Sequence, residues 1–211
     1  MNSNASAALR TATWDQAEAG QRQKPARFLT AREFFRSPNG VGSAFPASRF
    51  LVEAVLAQAD LSAARLVVEF GPGSGRFTRA LLDRMPADGR LVAIDTSPRF
   101  IRHLQQQIPD SRLHAVTGSA AMIDAILQRL DLGTVDCIVT GIPFSTMPED
   151  IATRIVDASA ERLGQGGTLL AYQMRDTIEK LLARRFATVE ASRSWANIPP
   201  CHIFRAAQPI A

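Results

Sequence analysis

Cysteine is scarce in this 211-residue chain, which has only Cys137 and Cys201. Each sits inside an apolar run that reads as strand, so both are expected to be small buried hydrophobes in a reducing compartment, without a disulfide. Histidine is equally sparse. His103, His114 and His202 are scattered without zinc-ligand spacing, and a metal-free protein is expected. No apolar run approaches the roughly 18 residues that a membrane-spanning helix needs. The polar stretch from Met1 to Gly20 lacks the apolar centre of an export signal, which points to a cytoplasmic protein. What is present, 46% hydrophobic residues over 211, suits one full α/β domain with a short extension.

The net charge of +4 is modest but unevenly placed. Residues 1–50 hold seven basic side chains (Arg10, Arg22, Lys24, Arg27, Arg32, Arg36, Arg49) against Asp15, Glu18 and Glu33, which is the whole excess. Residues 51–211 are formally neutral. A basic leading segment on a neutral body suggests an anionic partner there: a lipid headgroup, a membrane surface or nucleic acid. A solvated arginine-rich tail is the plain alternative.

Residues 1–24 show no sustained apolar period and read as a disordered or frayed tail. Ala26 to Arg36 turns helical, with Phe28, Ala31 and Phe35 on one face, Phe34 at its edge, and Arg32 and Arg36 alongside. Arg27 intrudes on that apolar face. Ser37-Pro38-Asn39-Gly40 stops the helix, and a second one is expected at about 47–59. From Leu66, strand and helix alternate. Strands are expected at 66–70, 91–95, 112–117, 135–140 and 167–173, and helices at 76–85, 98–107, 121–130 and 148–163. The turn Gly164-Gln165-Gly166-Gly167 precedes the fifth strand. A helix near 175–184 leads to two last strands, 187–193 and 202–206. This order implies an α/β, Rossmann-like fold: a seven-stranded, mostly parallel sheet with a C-terminal antiparallel hairpin and an N-terminal helical extension.

Ligands of a parallel sheet lie beyond its carboxyl ends, near the point where strand order reverses. The first strand ends in Glu69, followed by Phe70-Gly71-Pro72-Gly73-Ser74-Gly75. Such glycines let the backbone approach a ligand closely. A dinucleotide fingerprint would need glycine at 76, where this chain has Arg76, and a Walker loop is absent. Asp95, followed by Thr96, ends the next strand 20 residues after Gly75, where an acid would accept hydrogen bonds from both ribose hydroxyls. Together these read as a nucleoside-cofactor site. A structural turn followed by a surface Asp is the other reading.

The Leu66–Asp95 stretch, with its E-x-G-x-G-x-G pattern, resembles the class I S-adenosylmethionine-dependent methyltransferases. The resemblance implies S-adenosylmethionine as cofactor, with S-adenosylhomocysteine as product. Glu69, Phe70, Gly71, Pro72, Gly73, Gly75, Asp95 and Thr96 would hold it, with the adenine against Gly118, Ser119 and Ala120. Many relatives carry an acid where Ser119 stands. Methyl transfer from a sulfonium is an in-line displacement that needs alignment, desolvation and an uncharged nucleophile more than a metal or a covalent residue.

The fourth strand ends in Thr140-Gly141-Ile142-Pro143-Phe144-Ser145-Thr146-Met147-Pro148. Its position resembles the N-L-P-Y motif of rRNA adenine dimethylases, in which Asn or Asp accepts from the exocyclic amine. Gly141 has no side chain to do so. The segment more closely resembles the bacterial phospholipid N-methyltransferases, which convert phosphatidylethanolamine stepwise to phosphatidylcholine. The stretch from Phe34 through Val41-Gly42 to Arg49 is similar to that family's leading F…P…VG…P-S-S-R segment. Trp195-Ala196-Asn197-Ile198-Pro199-Pro200 resembles its closing W-x-N-x-P-P. The match spans residues 28–205.

This resemblance implies division into a tail (1–24), helices for membrane contact and cleft lid (25–60), and a cofactor-binding domain (61–211). Gly141, Ile142, Pro143, Phe144 and Tyr172 would form the catalytic rim. Phe144 would turn an aromatic face to a cationic centre, or lie buried in a tight turn. Tyr172, the sole tyrosine, would position the amine or face the growing methylammonium; a buried tyrosine with a satisfied hydroxyl is the alternative. Arg27, Phe28, Phe34, Phe35, Arg36, Ser48, Arg49 and Asn197 are candidate substrate or membrane contacts, with the 26–36 helix on anionic lipid at the inner face of the cell membrane. An rRNA adenine dimethylase relative, or a non-catalytic cofactor-binding protein that docks on membranes, are the competing readings. Gly141 and the neutral body argue against nucleic acid as the partner.

Overall fold

A computed structural model describes residues 47–196 and 199–210. The tail 1–24, the expected helix 26–36 with its candidate contacts, and Asn197 lie outside the described residues. Helix α1 (Arg49–Leu56) is capped by Ser48, whose Oγ accepts from the Leu51 N–H at 3.1 Å. A serine there satisfies one of the backbone donors that a helix start leaves unpaired. There follow β1 (Leu66–Phe70), α2 (Arg76–Arg84), β2 (Arg90–Asp95), α3 (Pro98–Gln107), β3 (Leu113–Thr117), α4 (Ile123–Arg129), β4 (Val135–Thr140), α5 (Glu149–Arg162), β5 (Leu163–Gln173), α6 (Ile178–Leu182), β6 (Phe186–Ser194) and β7 (Cys201–Pro209).

The seven strands form one sheet in the order β3-β2-β1-β4-β5-β7-β6. Pairings among β1 to β5 are parallel, and β7 runs antiparallel to both β5 and β6. The expected Rossmann-like fold with an antiparallel end is the one found. All five residues of β1 are buried, as a strand covered by helices on both faces requires. Alternate residues feed two cores. Val68, Phe70, Ile138, Leu169 and Phe204 face one way, towards α4, α5 and α6. Val67, Val139, Leu170 and Ile203 face the other, towards α1, α2 and α3. Each such side chain contributes roughly 1.5–3 kcal/mol by leaving water. Asp136 fixes the entry of β1, accepting from the Arg65 and Leu66 N–H groups at 2.7 and 2.9 Å.

Several element bounds differ from expectation, among them α1, shorter than the expected 47–59, and β7, longer than the expected 202–206; β5 and α6 differ most tellingly. β5 begins at Leu163, which pairs with Val135, so the glycine run expected as a turn lies inside the strand as an irregularity before Thr168 pairs with Cys137. Helix α6 has five residues where ten were expected. Only Ile178 and Leu182 are buried in it, one i,i+4 pair, which gives core contact for little more than a turn.

Candidate active site

Strand order reverses between β1 and β4, so the crevice at their carboxyl ends is where ligands are expected. The glycine loop leaves β1 on one side. Gly71, Gly73 and Gly75 all have positive φ, at 70°, 53° and 79°. Gly71 carries the tightest constraint: a Cβ there would lie 2.8 Å from Cγ2 of Ile142. The glycine loop and the loop after β4 therefore touch through a glycine. The Gly141 N–H also donates to the Phe70 carbonyl at 3.3 Å. Phe70 and Pro72 turn inward and are buried.

Glu69 is 2% exposed. The Thr78 hydroxyl donates to its Oε2 at 2.6 Å, while Oε1 has no hydrogen-bond partner among the described residues. Burial, with a smaller push from the Asp95 charge, raises its pKa from 4.5 to about 7 against the pull of the Thr78 bond. Asp95 accepts from the Ser97 N–H at 2.8 Å, and a backbone bond from Gly73 ties it to the loop. Burial nevertheless lifts it to about 6. Thr96 is exposed. Past β3, Gly118 donates its N–H to the Asp95 carbonyl at 2.9 Å, and Ser119 Oγ accepts from the Ala121 N–H at 3.3 Å. That leaves the Ser119 hydroxyl proton available as a donor.

On the other side, Gly141 meets Tyr172 of β5. A Cβ on Gly141 would lie 2.3 Å from both Cζ and Oη of the phenol. Tyr172 stacks on Phe77 of α2, with centroids 4.3 Å apart and planes 14° from parallel. Burial and the nearby Glu69 charge push its hydroxyl pKa upward, so it stays protonated at neutral pH. Ile142 and Pro143 are half-buried. Phe144 is 5% exposed and packs in the core on the opposite face from Tyr172, so the aromatic ring left half-open at this rim is the tyrosine.

Glu69, Asp95, the glycine loop, Gly141, Ile142 and Tyr172 thus gather around the crevice. Ser48 is engaged as a helix cap. Arg49 stacks over Phe50, at 4.8 Å from the ring centroid. It lines a groove of about 500 Å³ with Ser74, Arg76 and Arg79, and with the acids Glu53 and Asp83. Sequence reasoning missed Thr78 and Phe77. The signal for Thr78 was a hydroxyl on the apolar face of α2, between Phe77 and Leu81.

The residues present fit a nucleoside cofactor that bears a cationic group. The loop backbone is held open by glycines, an acid stands at the end of β2, and a buried carboxylate oxygen has no protein partner among the described residues. Residues 67–167 match the family described as "Methyltransferase domain". The chain is an S-adenosylmethionine-dependent methyltransferase. It is similar to an ornithine lipid N-methyltransferase of Singulisphaera acidiphila, 26% identical over 82% of this chain and 91% of that protein. The likeness to bacterial lipid N-methyltransferases read from the sequence is thus found. A ribosomal RNA small subunit methyltransferase H of Aromatoleum aromaticum is 38% identical over 39% of the chain, which spans only 26% of that protein's length. Among solved structures, N-methyltransferase NodS of Bradyrhizobium japonicum in complex with S-adenosylhomocysteine has a TM-score of 0.61 and 18% identity, covering 87% of this chain and 98% of its own. That last likeness speaks for the fold. In this methyltransferase, Glu69, the glycine loop, Asp95 and Ser119 are the residues that would hold the cofactor.

Proposed function

We propose that this methyltransferase methylates the amine of phosphatidylethanolamine and of its partly methylated forms, towards phosphatidylcholine, at the inner face of the cell membrane. The observation that carries the lipid reading is the match to a lipid N-methyltransferase over 82% of this chain and 91% of that protein, whereas a matching rRNA methyltransferase A is covered over only 51% of its length and a methyltransferase H over 26%. The G-I-P-F segment and the W-x-N-x-P-P close extend it to a phospholipid. The Arg49, Arg76 and Arg79 groove beside the glycine loop suits a phosphate-bearing headgroup. Membrane contact is assigned to the basic, aromatic stretch 26–36, with binding that weakens as salt rises.

S-adenosylmethionine, when bound, supplies an electrophilic methyl group. The chain's own residues prepare the acceptor. An ethanolamine nitrogen is mostly protonated at neutral pH and must lose a proton to solvent water before its lone pair is free, which partial desolvation in the crevice favours. Tyr172, neutral because its pKa is raised, orients the amine by accepting from an N–H. It is too weak a base to remove the proton itself. Its ring face, braced by Phe77, attracts the increasingly methylated cation.

Mass analysis of lipids after incubation with vesicles of phosphatidylethanolamine and its mono- and dimethyl forms tests class and extent together. Methylated lipid is expected. No methylated lipid, with label entering rRNA instead, would overturn the reading in favour of an rRNA methyltransferase, which the partial rRNA-enzyme match motivates. Vesicle flotation in parallel separates membrane binding from turnover.

A further inference from the structure

Gln173 is the last residue of β5, directly after Tyr172. It is 8% exposed, and neither its Oε1 nor its Nε2 has a hydrogen-bond partner among the described residues. Its cross-strand neighbour His202 is engaged with Arg193 instead, at 3.0 Å. An amide buried with both ends unpaired is costly, and an apolar side chain of the same length would fold more stably in its place. Nothing among the described residues therefore explains a glutamine here.

Its position does offer an explanation. Ala171 pairs with Thr140, the last residue of β4, so Gln173 stands two residues above that rung, at the height of the loop from Gly141 to Phe144. Strand alternation puts it on the face of Leu169 and Ala171, which pack in the same core as Phe144. Tyr172 takes the opposite face. The carboxyl end of β5 thus carries polar groups on both sides of the sheet beside the acceptor loop.

We propose that Gln173 is a binding residue for the acceptor's headgroup, its Oε1 accepting from an amine N–H and its Nε2 donating to an anionic oxygen of the same zwitterion. The assignment rests on the amine-lipid reading above. A zwitterionic headgroup meets both orphaned groups at once, whereas an uncharged apolar acceptor would meet neither. Binding completes a hydrogen-bonding set that the described residues leave open.

The test uses the full chain and Gln173→Met, which keeps the length and removes both polar groups. Three quantities are measured: melting temperature, affinity for S-adenosylhomocysteine, and KM for phosphatidylethanolamine vesicles. The expected result is an equal or higher melting temperature, unchanged affinity, and a KM raised about tenfold or more. Gln173→Asn, which retracts both groups by one methylene, should give an intermediate KM and serves if the Met variant fails to fold. Independently of turnover, glycerophosphoethanolamine added with S-adenosylhomocysteine should raise the melting temperature of the wild type and not of Gln173→Met. An unchanged KM, a fall in S-adenosylhomocysteine affinity matching the fall in activity, or a headgroup shift that is equal in both proteins or absent from the wild type overturns the proposal. Wild-type protein that methylates no vesicle lipid instead overturns the lipid reading itself.

Discussion

On the β1 side of the strand-order reversal the site is made of backbone and buried charge: a loop of left-handed glycines, Glu69 with one oxygen unpaired among the described residues, and Asp95 tied to the loop. On the β4–β5 side it is made of volume and one phenol, with Tyr172 filling the space over Gly141. The first side is therefore sensitive to backbone angle and to pH, the second to side-chain size. The two meet where Ile142 rests on Gly71.

The most damaging way to break this contrast is Gly71→Ala. A left-handed φ costs a side-chain-bearing residue about 1–2 kcal/mol, and the added methyl would press on Ile142, so a total loss of roughly 2–4 kcal/mol is expected. Because the contact joins both sides, S-adenosylhomocysteine affinity and acceptor KM should worsen together. Calorimetric binding beside steady-state kinetics checks it, and a defect confined to one of them would separate the two sides.

Next in size is the pH response of the β1 side. Glu69 has a folded pKa of about 7 against an ordinary 4.5, so the folded state holds the extra proton between those values. Stability should consequently fall as pH rises through that window, by on the order of 2–3 kcal/mol. Asp95, raised from 3.8 to about 6, adds a loss of the same sign at lower pH. Denaturant melts from pH 4.5 to 7.5 should show the slope in the free protein, flattened in Glu69→Gln. A Glu69→Gln profile as steep as the wild type would refute this account.

The acceptor side is probed by a double-mutant cycle. Gly141→Ala alone forces a methyl against the Tyr172 ring and should cost about 1–3 kcal/mol, whereas the same change in a Tyr172→Ala background should cost little. Additive costs would show that the phenol does not fill the space at 141. Smallest is Tyr172→Phe, which keeps the volume and removes only the hydroxyl. A drop of about tenfold in kcat/KM with unchanged S-adenosylhomocysteine affinity is expected, and full activity would remove the phenol from amine positioning.

Much of the β1 side was legible in the sequence because its information is local. The glycine spacing, Arg76 in place of a sixth-position glycine, and Asp95 at the next strand end all fall within 30 residues. The strands could be placed because near-continuous apolar runs are what a doubly covered sheet demands. Gly141 was legible only as an absence. That Tyr172 occupies its space depends on the β4–β5 register, between residues 31 apart. Thr78 and Gln173 escaped notice for a related reason. Each is one polar residue in an apolar pattern, and only its burial and its partners, or their lack, make it conspicuous. The β5 boundary was misjudged because glycines that usually mark a turn here make an irregularity within the strand.

β7 follows β6 in the chain yet lies between β5 and β6 in the sheet, pairing with Thr168–Gln173 through His202–Ala207. As the protein is synthesised, β5 therefore remains an open edge, with Tyr172 and Gln173 at its end, until the ribosome has released that late segment. The glycine loop, Glu69 and Asp95 have been in the chain for more than 100 residues by then. The half of the site assigned to the methyl donor can assemble first, and the half proposed for the acceptor is finished last. A chain cut short before β7 would thus be expected to hold its cofactor side in better order than its chemistry.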